Sequence, residues 1–376
     1  MPARAEAISL LGQERGIVVR VAAAEAGLEM LDASWDALAR RQPCPNPALS
    51  ATWLRELAKW EPGVPLIVRV EAEGRLVTAG AFGLRRPAGR LGPMLATWLG
   101  DERQWFSPDL LVDPNYADCG SSVVDAVLGA ADAIQLSAAA DGSMARALRD
   151  CVPWVHTAPR TSGWVVPIPP PRLEYAKRRV QYVQRRAERR GARVAVVVAE
   201  EAEEVRAALE RLFVIHRERW DGRPGEIARF STTERHRDWY RGLVSLLAAR
   251  NEVRVCEVSE DGTVVASTLL FLCDRGSAFH TTAIRPANAL LRGGHVALLA
   301  CVEAAASAGA EVMDLGWGAC APESPKARFG PTPVPVARLR AASSPRRQRL
   351  FDGLDTAAGA LERLRSRKPL SWLGRR

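Results

Sequence analysis

The chain has 376 residues, 47% hydrophobic and 25% charged, which excludes a disordered or fibrous protein and suits two ordinary domains or one large one. Its formal charge of +9 is uneven: residues 1–150 sum to −4 and residues 151–376 to +13. Cysteines at 44, 119, 151, 256, 273, 301 and 320 include no C-x-x-C pair, so reduced thiols are expected and a disulfide scaffold or thiolate zinc site is not. With no signal-like start and no run of roughly 18 apolar residues, the expectation is a cytoplasmic protein without membrane insertion.

In chain order, apolar runs predict strands at 16–22, 65–72, 76–84, 92–98, 133–137 and 163–168, with helices at 29–40, 51–60, 121–132 and 142–150. The order starts again near residue 193. A strand there precedes helices at 201–219 and 233–249. Strands at 252–258, 263–272 and 277–284 follow, separated by turns at Asp261-Gly262 and Asp274-Arg275-Gly276. A helix at 294–308, a strand at 311–315, a Pro-rich stretch at 321–335, a strand at 334–340 and a helix near 346–365 complete the reading. The repeated order implies a structural duplication, and the prolines from Pro167 to Pro171 mark the join. The expected divisions are 1–168, 169–345 and a basic tail at 346–376.

Two segments concentrate positive charge: 172–193 sums to +7 and 338–376 to +8. Either suits a phosphate, a nucleic acid or an acidic carrier protein, and equally a solvated helix face. Tyr175 and Tyr182, seven apart in the first segment, share one helix face, which is expected to pack against the rest of the protein rather than to stack on RNA.

The densest candidate site follows residue 290. Arg292-Gly293-Gly294-His295 stands between a strand and a helix, so the amides of Gly293, Gly294, His295 and Val296 could converge on an anion, with Arg292 adding a charge-assisted contact. Asp314-Leu315-Gly316-Trp317-Gly318 closes a strand, and Lys326-Ala327-Arg328-Phe329-Gly330 follows it. Upstream lie a basic helix at Lys177 to Arg190 and an H-x-x-R-W sequence at His216, Arg219 and Trp220. No metal-ligand spacing, G-x-S-x-G elbow, Walker loop or G-x-G-x-x-G is present.

Over residues 172–340 these sequences resemble the FemABX and cellulose-biosynthesis CelD-type acetyltransferases of the GNAT superfamily. The sequence departs from that pattern at Pro325, where an aromatic residue is usual, at Arg285-Pro286 in place of an acidic residue with Pro, and at Arg292-Gly293-Gly294 in place of Ser-Pro-Gly. The resemblance implies an α/β (α+β) fold of tandem GNAT-like domains, each a mixed, mostly antiparallel sheet flanked by helices. It further implies direct acyl transfer from a thioester or aminoacyl ester to an amine, with no metal. The donor would be acetyl-CoA or another acyl-CoA, and the acceptor a small-molecule, saccharide or peptide amine.

Such chemistry needs a docked donor, a base and a group that stabilises the oxyanion. Asp314 and His216 are candidate bases, although Asp314 could simply hold the Gly316 to Gly318 turn and His216 could pack beside Trp220. Lys326 is a candidate electrophilic stabiliser, in a chain with lysine only at 59, 177, 326 and 368. Arg219, Trp220, Trp317, Gly318 and Phe329 are expected around the substrate. An aminoacyl-tRNA or acyl carrier protein as donor, or a degenerate site that only binds an acidic partner, are the competing readings.

Overall fold

The computed structural model describes residues 8–12, 16–42, 46–86, 92–100, 109–140, 142–220, 230–231, 233–285, 293–317, 324–342 and a few positions up to 353. Its first half runs β1 (Ile8–Gly12), β2 (Ile17–Ala23), α1 (Ala24–Glu29), α2 (Ala33–Arg40), α3 (Ala51–Ala58), β3 (Val64–Ala72), β4 (Arg75–Arg85), β5 (Leu95–Trp98), β6 (Leu111–Val112), α4 (Gly120–Ala130), β7 (Ala133–Ala140), α5 (Ser143–Cys151) and β8 (Val155–Pro167). The second runs α6 (Leu173–Glu188), β9 (Val194–Ala199), α7 (Ala202–Trp220), α8 (Glu234–Ala248), β10 (Val253–Glu260), β11 (Thr263–Cys273), β12 (Gly276–Ile284), α9 (Gly293–Ser307), β13 (Val312–Trp317) and β14 (Thr332–Ala342). A 3-10 turn at Lys326–Phe329 lies between the last two strands. The predicted helix near 346–365 falls almost wholly outside the described residues.

Local chemistry sets the repeated order. Asp32 caps α2 by accepting the amides of Ser34 and Trp35, and Ser50 caps α3 through the Trp53 amide. Equivalent hairpins in the two halves turn at Glu73-Gly74 and Asp261-Gly262, with φ of +54°, +75°, +50° and +80°. A glycine second in such a left-handed pair costs little, which is why an acidic residue followed by Gly recurs at this corner.

All strands join one mixed sheet in the order β1-β2-β3-β4-β5-β7-β14-β8-β13-β12-β11-β10-β9, with β6 beside β4. The halves interleave at the middle: β14, the last strand among the described residues, pairs with β7, while β8 of the first half pairs with β13 of the second. Strand β8 extends from residue 155, well before the predicted 163, because β14 holds it along its length. Strand β14 begins at Thr332, inside the Pro-rich stretch. Its Pro333 and Pro335 face β8 but precede Val336, where pairing with β7 starts, so their missing N–H groups leave no gap on the β7 side.

One apolar layer runs from α2, α3 and α4 to α7 and α8, and a second lies on the opposite face under α6 and α9. The halves meet at Trp53 of α3, whose ring stands edge-on to Phe271 of β11 at 4.6 Å and to Trp239 of α8 at 6.3 Å. All three are buried. Trp53→Ala is expected to cost about 3–5 kcal/mol, read from urea unfolding. On α6 the buried residues are Ala176, Val180, Val183 and Ala187, whereas Tyr175 and Tyr182 are 37% and 44% exposed. This corrects the expected burial of the tyrosines: the alanine and valine stripe supplies the packing face, and the tyrosines turn outward.

Candidate active site

Parallel strands β12 and β13 pair at only three positions, Gly276↔Val312, Ser277↔Met313 and Ala278↔Asp314. Beyond them β12 continues beside β11 to Ile284, while β13 stays with β8 through a register shift between Asp314 and Trp317. The result is a wedge with Asp314 at its vertex. Strand β12 also bulges there: Phe279 faces Leu270 and Thr281 faces Leu269, which leaves residue 280 as the extra one. Along the wedge the facing backbone groups of β12 and β13 have no ladder partner in each other.

Alternation along β13 sends Met313 and Leu315 under α9 and Asp314 to the face covered by α7 and α8. Asp314 is half-buried and its Oδ1 accepts the Gly316 amide at 2.6 Å; Gly316 allows this tight turn at φ +71°. Burial pushes its carboxyl up to about 6, against the Gly316 hydrogen bond and the positive charge of Lys326. The Lys326 Nζ donates to the Leu315 carbonyl, so the 3-10 turn is tied to β13 beside Asp314.

Helix α9 starts at Gly293 near the wedge. A Cβ on Gly294 would come within 2.8 Å of the Ile284 side chain and 3.6 Å of Pro325, so the end of β12, the start of α9 and the turn carrying Lys326 converge at this glycine. The amides of Gly293, Gly294, His295 and Val296 are the first four of the helix and have no acceptor within it. The side chains of His295 and Val296 are buried, so these two residues offer only backbone.

His216 lies on the face toward which Asp314 points. It is fully buried, its Nδ1 is 2.8 Å from Ser231 Oγ, and its Nε2 has no hydrogen-bond partner among the described residues. Burial, with Arg219 adding to it, pulls its imidazole down to about 4, so it is neutral at physiological pH. Arg285 Nη1 donates to Glu218 Oε1 at 3.1 Å and ties the last turn of α7 to the end of β12. Arg211 anchors the same helix with two hydrogen bonds, 2.9 and 2.7 Å, to the buried Glu257 of β10.

The structure therefore gathers Asp314, Lys326, Gly293 and Gly294 at one wedge and brings Arg219 and Trp220 to the end of the helix that flanks it. The Arg219 guanidinium lies 5.5 Å from the Trp220 ring. Phe329, expected at the substrate, is instead 1% exposed and part of the core under α6 and α9. Arg292 and Gly318 fall outside the described residues, and of Trp317 only the backbone is described, facing Gly163 of β8. Sequence reasoning missed the wedge and the bulge, which no glycine or proline at 279–281 announces.

Residues 176–322 match the family described as acetyltransferase (GNAT) domain. The matched stretch lies in the second half, starting within α6 and ending past β13. The whole chain is similar to the crystal structure of FemX, with 12% identity, a TM-score of 0.63 and coverage of 85% of this chain and 96% of that one. It is also similar to the C-terminal domain of a protein described as a lysylphosphatidylglycerol synthetase from Agrobacterium fabrum (13% identity, TM-score 0.55, 87% and 96%). A protein of unknown function from Bacteroides thetaiotaomicron matches at 9% identity and a TM-score of 0.51, over 85% and 97%. These likenesses establish the fold beyond the GNAT domain itself, over both halves. No curated protein sequence matches the chain. Among the described residues no helix is long and apolar enough to cross a membrane, and no group of His, Cys, Asp and Glu is placed to hold a metal.

Proposed function

We propose that the chain is an N-acyltransferase that moves an acyl group, acetyl in the simplest case, from an acyl-CoA thioester directly to an amine. The observation that carries this reading is the wedge with Asp314 at its vertex and the glycine start of α9 beside it. An extended pantetheine arm would add its amides to the unpaired edge of β12 as a short strand does. The pyrophosphate would receive the amides of Gly293, Gly294, His295 and Val296 at the positive end of α9, with Arg292 adding charge.

The amine approaches from the α7 face, past Arg219 and Trp220. Asp314, with a carboxyl that titrates near 6, takes a proton from the ammonium. The freed nitrogen attacks the thioester carbonyl, an amide of the β12 bulge donates to the developing oxyanion, and the tetrahedral species collapses. The C–N bond forms on attack, the C–S bond breaks on collapse, and the departing thiolate takes the remaining nitrogen proton. Lys326 holds β13 and balances the Asp314 charge. His216, buried and titrating near 4, is too weak and too enclosed to serve as the base; it positions the end of α7. The CelD-type resemblance makes a saccharide or peptide amine the acceptor class.

Acetyl-CoA at roughly 100 times its Kd should raise Tm by a few degrees, and Gly294→Asp, which sets a carboxylate where the phosphates dock, should abolish the gain. The absence of any shift with CoA thioesters, together with a salt-sensitive shift given by aminoacyl-tRNA or by an acyl carrier protein, would replace CoA as the donor.

A further inference from the structure

The sheet ends at β9, whose one neighbour is β10. Exposed edges are usually blunted by charge, proline or a bulge. This one reads V-A-V-V-V-A with none of them, and Val196 and Val197 are 40% and 56% exposed. Its flanks are oppositely charged. Arg189, Arg190 and Arg193 precede the strand, and Glu200, Glu201, Glu203 and Glu204 follow it. Among the described residues Arg190, Arg193, Glu201 and Glu204 have no ion pair, whereas on α7 and α8 Arg206, Arg237 and Arg241 all meet carboxylates.

We infer that β9 is the interface of a two-fold homodimer in which two β9 strands pair antiparallel and join two sheets into one. Antiparallel pairing brings the basic end of each strand to the acidic end of the other, twice, while parallel pairing would set like charges together. The register follows from the backbone. Outward-pointing amides and carbonyls occur at alternate residues, so identical strands can bond only when residues of the same parity face each other, which puts the axis on a residue. An axis at Val197 sets Arg193 opposite Glu201, Ala195 opposite Ala199 and Val196 opposite Val198. An axis at Val196 would waste Arg193 on Ala199, and one at Val198 would aim it beyond the strand into α7. Strands β10 and β11 stand between this edge and the wedge at β12, so the dimer leaves the active site open.

Sedimentation velocity on the full chain across the micromolar range should show a dimer that high salt weakens. Val197→Lys, which opposes two ammonium groups at the axis, should raise the dimer Kd by more than about tenfold with Tm little changed. Arg193→Glu should do the same, and Arg193→Glu combined with Glu201→Arg should restore the dimer. A chain that stays monomeric throughout, a dimer that tolerates Val197→Lys, or a charge swap that fails to restore it would each overturn the inference. The swap keeps the test decisive if Val197→Lys proves unstable.

Discussion

Asp314→Asn is expected to lower kcat/KM by about 10²–10⁴ with little change in donor affinity, because it removes the proposed base and leaves the α9 amides in place. In the unmodified enzyme kcat/KM should rise with pH through about 6 and then level, since only the ionised Asp314 accepts a proton. That rising limb should vanish in the variant. Lys326→Ala should move it upward, because the lysine charge favours the carboxylate. The effect on stability has the opposite sign. A carboxyl raised from 3.8 toward 6 on folding favours the folded state while protonated, and this contribution is lost as pH climbs through that window. Asp314→Asn should therefore melt no lower than the native chain at pH 8, and a pH profile of Tm for both proteins checks it. An unaltered rate profile would return the base to another residue.

A chain ended at residue 331 should fail to unfold in a single cooperative transition, because β14 is the strand between β7 and β8. Its loss opens two edges in the middle of the sheet and takes Val336, Leu339 and Ala341, all buried, out of the core. Leu339→Ala is the graded version, with an expected cost of about 2–5 kcal/mol in urea unfolding. Far-ultraviolet dichroism and tryptophan fluorescence should report one shared midpoint for it, since the apolar layer around Trp53 and Trp239 spans both halves. A truncated chain that melts as sharply as the full one would show that β14 only decorates the sheet.

What could be read in the sequence was whatever acts over a few residues. The alternation in β10 to β12, the Asp261-Gly262 corner, the helical period of α7 and the long alanine- and leucine-rich run of α9 each placed an element, and together they gave the GNAT order. The grouping of Gly293, Gly294, Asp314 and Lys326 was legible because spacing along one strand-helix-strand unit is nearly spacing in space. The exchange of β8 and β14 was not, because a strand does not encode its neighbour: V-H-T-A-P-R-T-S at 155–162 lacks alternation and is extended only because β14 lies alongside. Strand β1 was missed for a related reason, being held at the far edge by β2. Phe329 was misread because an aromatic residue near a glycine turn looks the same whether it faces a ligand or a core. His216 could be weighed against Asp314 only once burial was known.

The interleaved sheet also bears on how the protein is made. Translation delivers β7 nearly two hundred residues before β14, its partner, so the first half leaves the ribosome with a bare edge in its middle. Strand β14 must enter a gap between two already synthesised strands, a long-range closure that is slow by its topology. Assembly of the central sheet thus waits for β14, and the interval before it arrives is when a nascent chain of this kind most needs a chaperone.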